Sequence, residues 1–148
     1  MVTANPEDWP DIEGALREWL RADADIQAVV GTRVFFGIPR NSSSAFPCIM
    51  ITRIGGGQMT GDAPVDNALM QFDVYGELAE EGGGRLQVTT AALALRKTLS
   101  KIVGRTRLNS TVVCFDPRVS VQVFSPLPGD DRPRVLITGT FPCIYSAE

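Results

Sequence analysis

Two stretches of strict alternation constrain this chain more than anything else in it. From Asn67 to Tyr75, Ala68, Met70, Phe72 and Val74 fall on one side of an extended backbone and Leu69, Gln71, Asp73 and Tyr75 on the other. From Arg134 to Tyr145, Val135, Ile137, Gly139, Phe141 and Cys143 alternate with Arg134, Leu136, Thr138, Thr140 and Ile144. A period of two sends every second side chain to the same face, so each stretch is a half-buried antiparallel strand. One face of the resulting sheet is apolar along its length and must be covered.

Helices supply the cover. Between Asp11 and Ala22 the residues Ile12, Ala15, Leu16, Trp19 and Leu20 form one apolar stripe, with Asp8 as the expected start and Pro10 in the first turn. Trp19, on that stripe, is expected in the core. A second, shorter helix is expected over Asp25–Val30, capped by Asp23 or Asp25 and ended by Gly31. The longest, Arg85–Val103, turns Val88, Ala92, Leu95, Leu99 and Ile102 inward and Gln87, Thr90, Ala94, Lys97 and Lys101 outward, and Gly104 ends it. Further strands are expected at 32–37, at 48–54 and from Thr111 to Phe124, the last bent at Pro117, with Val119, Val121 and Val123 facing away from Ser120, Gln122 and Phe124.

The order is therefore α-α-β-β-β-α-β-β, an α+β fold with a single antiparallel sheet and helices packed on one face. A chain of 148 residues is the size of one domain, and no internal repeat or linker divides 1–148. The second sheet face is only partly polar, because Leu69, Tyr75, Phe124 and Leu136 are expected there. A monomer would leave that patch wet, which points to subunit contacts.

Chemistry is harder to find. The chain has no histidine, which removes the Ser-His-Asp and Cys-His machinery and most zinc sites. Cys48, Cys114 and Cys143 lie far apart in apolar segments, as small core hydrophobes rather than as a disulfide framework or metal cage. A net charge of −3 with dispersed basic residues gives no footprint for tight nucleic-acid binding. No apolar run is long enough to span a bilayer, and the acidic MVTANPEDWPD start is unlike a signal peptide, so synthesis in the cytosol is expected.

The run RIGGGQMTG, residues 53–61, is the one stretch with the glycine spacing of a phosphate loop. Asp62 stands where the loop's lysine belongs and a strand follows instead of a helix, so a carboxylate would repel the phosphate. The expected role is a hairpin connection over 55–66, free in the monomer and ordered by a neighbour. Asp62, Asp66, Asp130 and Asp131 read as turn aspartates. Arg53 is expected opposite the core face of its strand, where it either pairs with an acidic neighbour across an interface or is an ordinary surface arginine.

Taken together, the opening helix leading into ADADIQAVVGTRVF, the P-x-I-x-I-x-R segment Pro47–Arg53 and the strand-then-helix QFDVYGELAEEGGGRLQVTTAALAL resemble the tail terminator, or tail-to-head joining, proteins of long-tailed bacteriophages. The resemblance covers residues 11 to 103. It implies a structural virion protein without catalytic residues, metal or cofactor. Such a subunit forms a hexameric ring at the head-proximal end of the tail and is assembled in the bacterial cytoplasm. The ring stops tail-tube polymerisation and meets a head-completion or connector protein on its other face, with no membrane involved. Arg53, Gly55, Gly56, Gly57, Gln58, Met59, Thr60, Gly61, Leu69, Tyr75, Phe124 and Leu136 are then candidates for contact with other subunits or the tube. Asp62, Asp66, Asp130 and Asp131 become candidates for lining a channel through which DNA passes without specific binding. Two alternatives remain open: a neighbouring head-closure adaptor, or a small-ligand-binding α+β domain or enzyme.

Overall fold

The computed structural model describes residues 9–37, 45–56, 65–78, 82–120, 123–124 and 132–147. The chain opens with α1 (Ile12–Ala22) and α2 (Ala24–Val30), then runs through β1 (Val34–Phe35), β2 (Cys48–Gly56) and β3 (Asp66–Tyr75) to α3 (Arg85–Leu99). It closes with β4 (Arg105–Arg107), β5 (Val112–Phe115), β6 (Arg118–Val119), β7 (Val123–Phe124) and β8 (Arg134–Tyr145). The sheet order is β1-β2-β3-β8-β5-β4, and β6 and β7 pair with β8 beyond β5. The fold is α+β, with α1 over β1 and β2, α3 over β3 and β8, and α2 against both helices.

The two alternating stretches become neighbours. β3 and β8 pair antiparallel from Asp66↔Cys143 to Tyr75↔Arg134, so their apolar positions stack on one face: Ala68, Met70, Phe72 and Val74 beside Val135, Ile137, Phe141 and Cys143. The rings of Phe72 and Phe141 meet edge to face at 5.7 Å between centroids, and both are fully buried. α1 lays Ile12, Ala15, Leu16 and Leu20 on this layer, with Trp19 packed against its margin, and α3 adds Val88, Ala91, Ala92, Leu95 and Leu99.

Local caps explain where the helices begin and end. α1 starts on Asp11, not Asp8: the Asp11 carboxylate stands directly before the apolar stripe and accepts from the Gly14 N–H at 3.1 Å. Asp23 both ends α1 and caps α2, accepting from the N–H groups of Asp25 and Ile26 at 2.9 and 3.1 Å. α3 stops at Leu99, four residues short of the expected Val103. Lys101 and Ile102 donate their N–H groups three residues back, to Thr98 and Leu99, tightening the last turn so that Ile102 still reaches the core.

Two strand features depart from the sequence reading. β1 pairs with β2 in parallel, and the interval 36–47 between them is long enough in sequence to allow that direction. The expected strand Thr111–Phe124 does run along β8, but its register steps by one residue between Cys114↔Cys143 and Arg118↔Thr140, and again between Val119↔Gly139 and Val123↔Leu136. Each extra residue turns the following side chains to the other face. The first step falls at Asp116, whose φ of +34° bends the chain next to Pro117, and Asp116 exchanges hydrogen bonds with the Gly104 backbone. β4 is an added edge strand, paired with β5.

Candidate assembly surface

The hairpin end of β2 and β3 carries the residues that the glycine run singled out. Arg53 lies opposite Met70, in the same row as Ile49 and Ile51, so it stands on the helix-covered face and not opposite it. Its guanidinium donates two hydrogen bonds, both at 2.7 Å, to the two carboxylate oxygens of Asp66, whose side chain is only 5% exposed. This intrachain pair replaces the expected contact across an interface and the ordinary surface arginine. It also removes Asp66 from the turn aspartates and from the free, channel-lining carboxylates. The hydrogen bonds to Asp66, with their charge, raise the Arg53 pKa further against the opposing effect of burial.

Gly55 and Gly56 belong to β2 rather than to a free loop, pairing with Leu69 and Ala68 past a bulge at Ile54. Gly56 holds φ +82°, and a Cβ there would run into the carbonyl of Asn67 and come within 2.7 Å of the Leu69 nitrogen. At Gly55 the nearest neighbour would be a Leu69 methyl at 3.9 Å, ordinary contact. The glycines thus differ in kind: one permits strand pairing and the other tolerates a side chain. Gly57, Gln58, Met59, Thr60, Gly61 and Asp62 lie outside the described residues, as do Asp130 and Asp131.

The open face of the sheet is less apolar and less wet than expected. Tyr75 is 4% exposed, because Phe46 folds over it edge to face at 6.2 Å and Arg132 caps the Phe46 ring at 4.2 Å. Cys48 completes this small second cluster. Next to it Asp73 is fully buried, accepting from the Gln71 amide at 3.0 and 3.3 Å and from the Arg134 guanidinium at 3.4 Å. Leu69 and Leu136 are on this face and half-buried, but Gln71 and Thr138 lie between them, so they form no continuous patch. Phe124 is on the other face altogether. It pairs with core residue Val135 after the second register step and lies under the Arg85 guanidinium at 4.8 Å.

The exposed apolar surface is concentrated elsewhere. Leu86 is 81% exposed, Leu93 54% and Val103 69%, all on or just beyond α3, whereas Phe36 and Ile54 lie at the other side of the sheet. Leu93 and Val103 open onto a groove of about 620 Å³ shared with Arg96, Lys97, Pro117 and Val119. The sequence held a signal for this: Leu86 and Leu93, seven residues apart, share a face of α3 that the buried stripe does not include. Among the described residues, no cluster of three His, Cys, Asp or Glu side chains could hold a metal ion. All three cysteines are buried thiols.

Exposed apolar side chains grouped in this way suit contact with another protein. The model of the family described as Tail completion protein gp17 matches residues 14–102, which is more than half of the chain. A protein chain of the solved "Virion of native gene transfer agent (GTA) particle" has the same fold, with a TM-score of 0.62 and 19% identity over 91% of this chain and 95% of that one. No curated protein sequence matches the chain. By its family match over α1 to α3 and the sheet between them, this chain belongs to the Tail completion protein gp17 family of structural tail proteins.

Proposed function

We propose that this protein is a non-enzymatic ring subunit, hexameric in the closed state, which caps the tail tube at its head-proximal end. Its opposite face meets a head-completion or connector protein. The observation that carries this reading is the family match across α1–α3, supported by a fold shared over nearly the whole length with a chain of a phage-like particle. Capping needs two unlike faces, one complementary to the last tube ring and one that no further tube subunit fits. The β2–β3 end, with the 57–64 connection beyond it, is the proposed tube-contacting end, and DNA passes through the ring without specific binding.

Adding the purified protein to polymerising tail-tube subunits tests this. Electron microscopy should show short tubes with a ring at one end, and tubes of unlimited length would overturn the capping role. Gly55→Ala should keep the fold, and with it the capping. Gly56→Ala should lose capping, because the β2–β3 end can no longer pair. Capture by connector proteins alone, with no effect on tubes, would assign the chain to the adaptor role instead.

A further inference from the structure

The charge of this chain is divided between the two flanks of its helical layer. Residues 82–120 hold seven of the 14 Lys and Arg and one of the 17 Asp and Glu. Residues 7–25 are acidic instead, with seven Asp and Glu and two arginines. The described parts of these segments touch where Lys101 pairs with Asp23 and Asp25 and Lys97 with Asp25. Away from that point they diverge, α1 lying over β1 and β2 at one edge of the sheet and α3 over β3 and β8, with its groove opening toward β6 beyond them.

Each flank also combines its charge with exposed apolar side chains. On the basic flank, Arg96 is exposed between Leu93 and Val103. On the acidic flank, Asp11 and Glu18 are exposed, with Trp9 and Phe36 37% and 42% exposed nearby in the chain or beside α1. The two arginines of that flank are turned onto their own chain. Arg17 covers the Phe36 ring at 4.1 Å, and Arg21 donates to the Val34 carbonyl at 2.8 Å, so neither offsets the outward carboxylates well.

We propose that the α3 flank is an intersubunit surface that receives the α1 flank of a second copy of this chain. Leu86, Leu93 and Val103 form the apolar centre of the contact, and Arg96 faces Glu18 or Asp11 of the neighbour. The apolar residues favour a protein partner over nucleic acid, whose interfaces are built mainly on phosphate contacts. A second copy is the partner whose charge and apolar groups complement this flank within the chain's own inventory. Because the two flanks are different surfaces, the contact is head-to-tail, the type that closes into a ring instead of stopping at a symmetric dimer. This inference rests on the ring reading above and assigns the surfaces that make the ring.

Charge reversal tests it without touching the core. Arg96→Glu and Glu18→Lys alter exposed side chains, so both variants should melt with the wild type. Sedimentation velocity at low salt should show wild-type oligomers that dissociate as salt rises. Each single reversal should weaken association by about tenfold or more, and an equal mixture of the two variants should restore it. Wild-type oligomers that persist unchanged in both variants would overturn this pairing of flanks and leave the ring reading standing. A wild type that stays monomeric at high concentration and low salt would overturn the self-contact, and the tube-capping experiment would then judge the ring reading separately.

Discussion

The two faces of the sheet solve opposite problems. On the helix-covered face every second residue of β2, β3 and β8 is apolar through the centre, and among the described residues the polar groups stand toward the rim, as Arg53 with Asp66 and as Asp23 with Thr98 and Lys101. On the open face a charged group, Asp73, is buried near the middle, and the apolar cluster of Phe46, Cys48 and Tyr75 sits to one side. The first face is stabilised by burial of area, the second by satisfying the hydrogen bonds of a few groups. Apolar area is tolerant of its surroundings, whereas a buried carboxylate depends on each donor.

Removing one residue from each face should expose that difference. Phe141→Ala deletes a ring that fills the centre of the covered face and should cost about 3–5 kcal/mol, read as a fall in denaturant midpoint. Leu136→Ala, half-buried on the open face, should cost under about 1.5 kcal/mol by the same measurement. Comparable losses at the two positions would mean that the open face holds a second core.

Next in size is the polar centre. Asp73→Ala removes the acceptor for the Gln71 amide and the Arg134 guanidinium and should cost about 2–3 kcal/mol. Asp73→Asn keeps one acceptor oxygen and should recover part of the loss. If Asp73→Ala is instead neutral, the open face does not rely on its hydrogen bonds, and the contrast between the faces fails.

How far each face was legible in the sequence follows from the same physics. Alternation in β3 and β8 foretold their core residues one by one, because the pleat fixes side-chain direction locally. Tyr75 was placed on its correct face, but its cover was not foreseen, since Phe46 reaches it from 29 positions away along the chain. Phe124 is on the face opposite to the one its alternation with Val119 predicts for another reason: the single-residue register step between Val119 and Val123, invisible to a period count, reverses that alternation. Asp66 looked like a turn residue because its partner, Arg53, is brought beside it only when β2 and β3 pair.

The rim of the covered face gives a smaller, pH-dependent effect. Burial pushes the Asp23 carboxyl up, but hydrogen bonds from Lys101, the Ile26 N–H and Thr98 outweigh it and hold the group below its ordinary 3.8. A carboxyl lowered on folding adds stability that is complete above its unfolded pKa and is lost as pH falls through the folded one. Wild-type stability should therefore drop below about pH 4, in part through Asp23. Asp23→Ala, which removes the α2 cap, should cost about 1–2 kcal/mol at neutral pH and flatten that acid limb. An acid limb as steep as that of the wild type would remove Asp23 as its source.

The finest comparison leaves stability untouched, because each face holds a reporter cysteine. Cys48 lies on the open face beneath Phe46, with its thiol pushed up to about 12 by burial, and Cys143 lies in the main core, raised by its hydrogen bond with Cys114 and by burial. Neither thiol reacts readily while covered, so labelling reports opening of the cover. The Cys48 cover is one short segment carrying Phe46, whereas reaching Cys143 requires separating the helices from the sheet. Under native conditions Cys48 should therefore react with a thiol reagent well before Cys143, as peptide mass spectrometry would resolve. Equal rates would mean that both faces open together in one cooperative step, and the open face would then owe its order to the same core as the covered one.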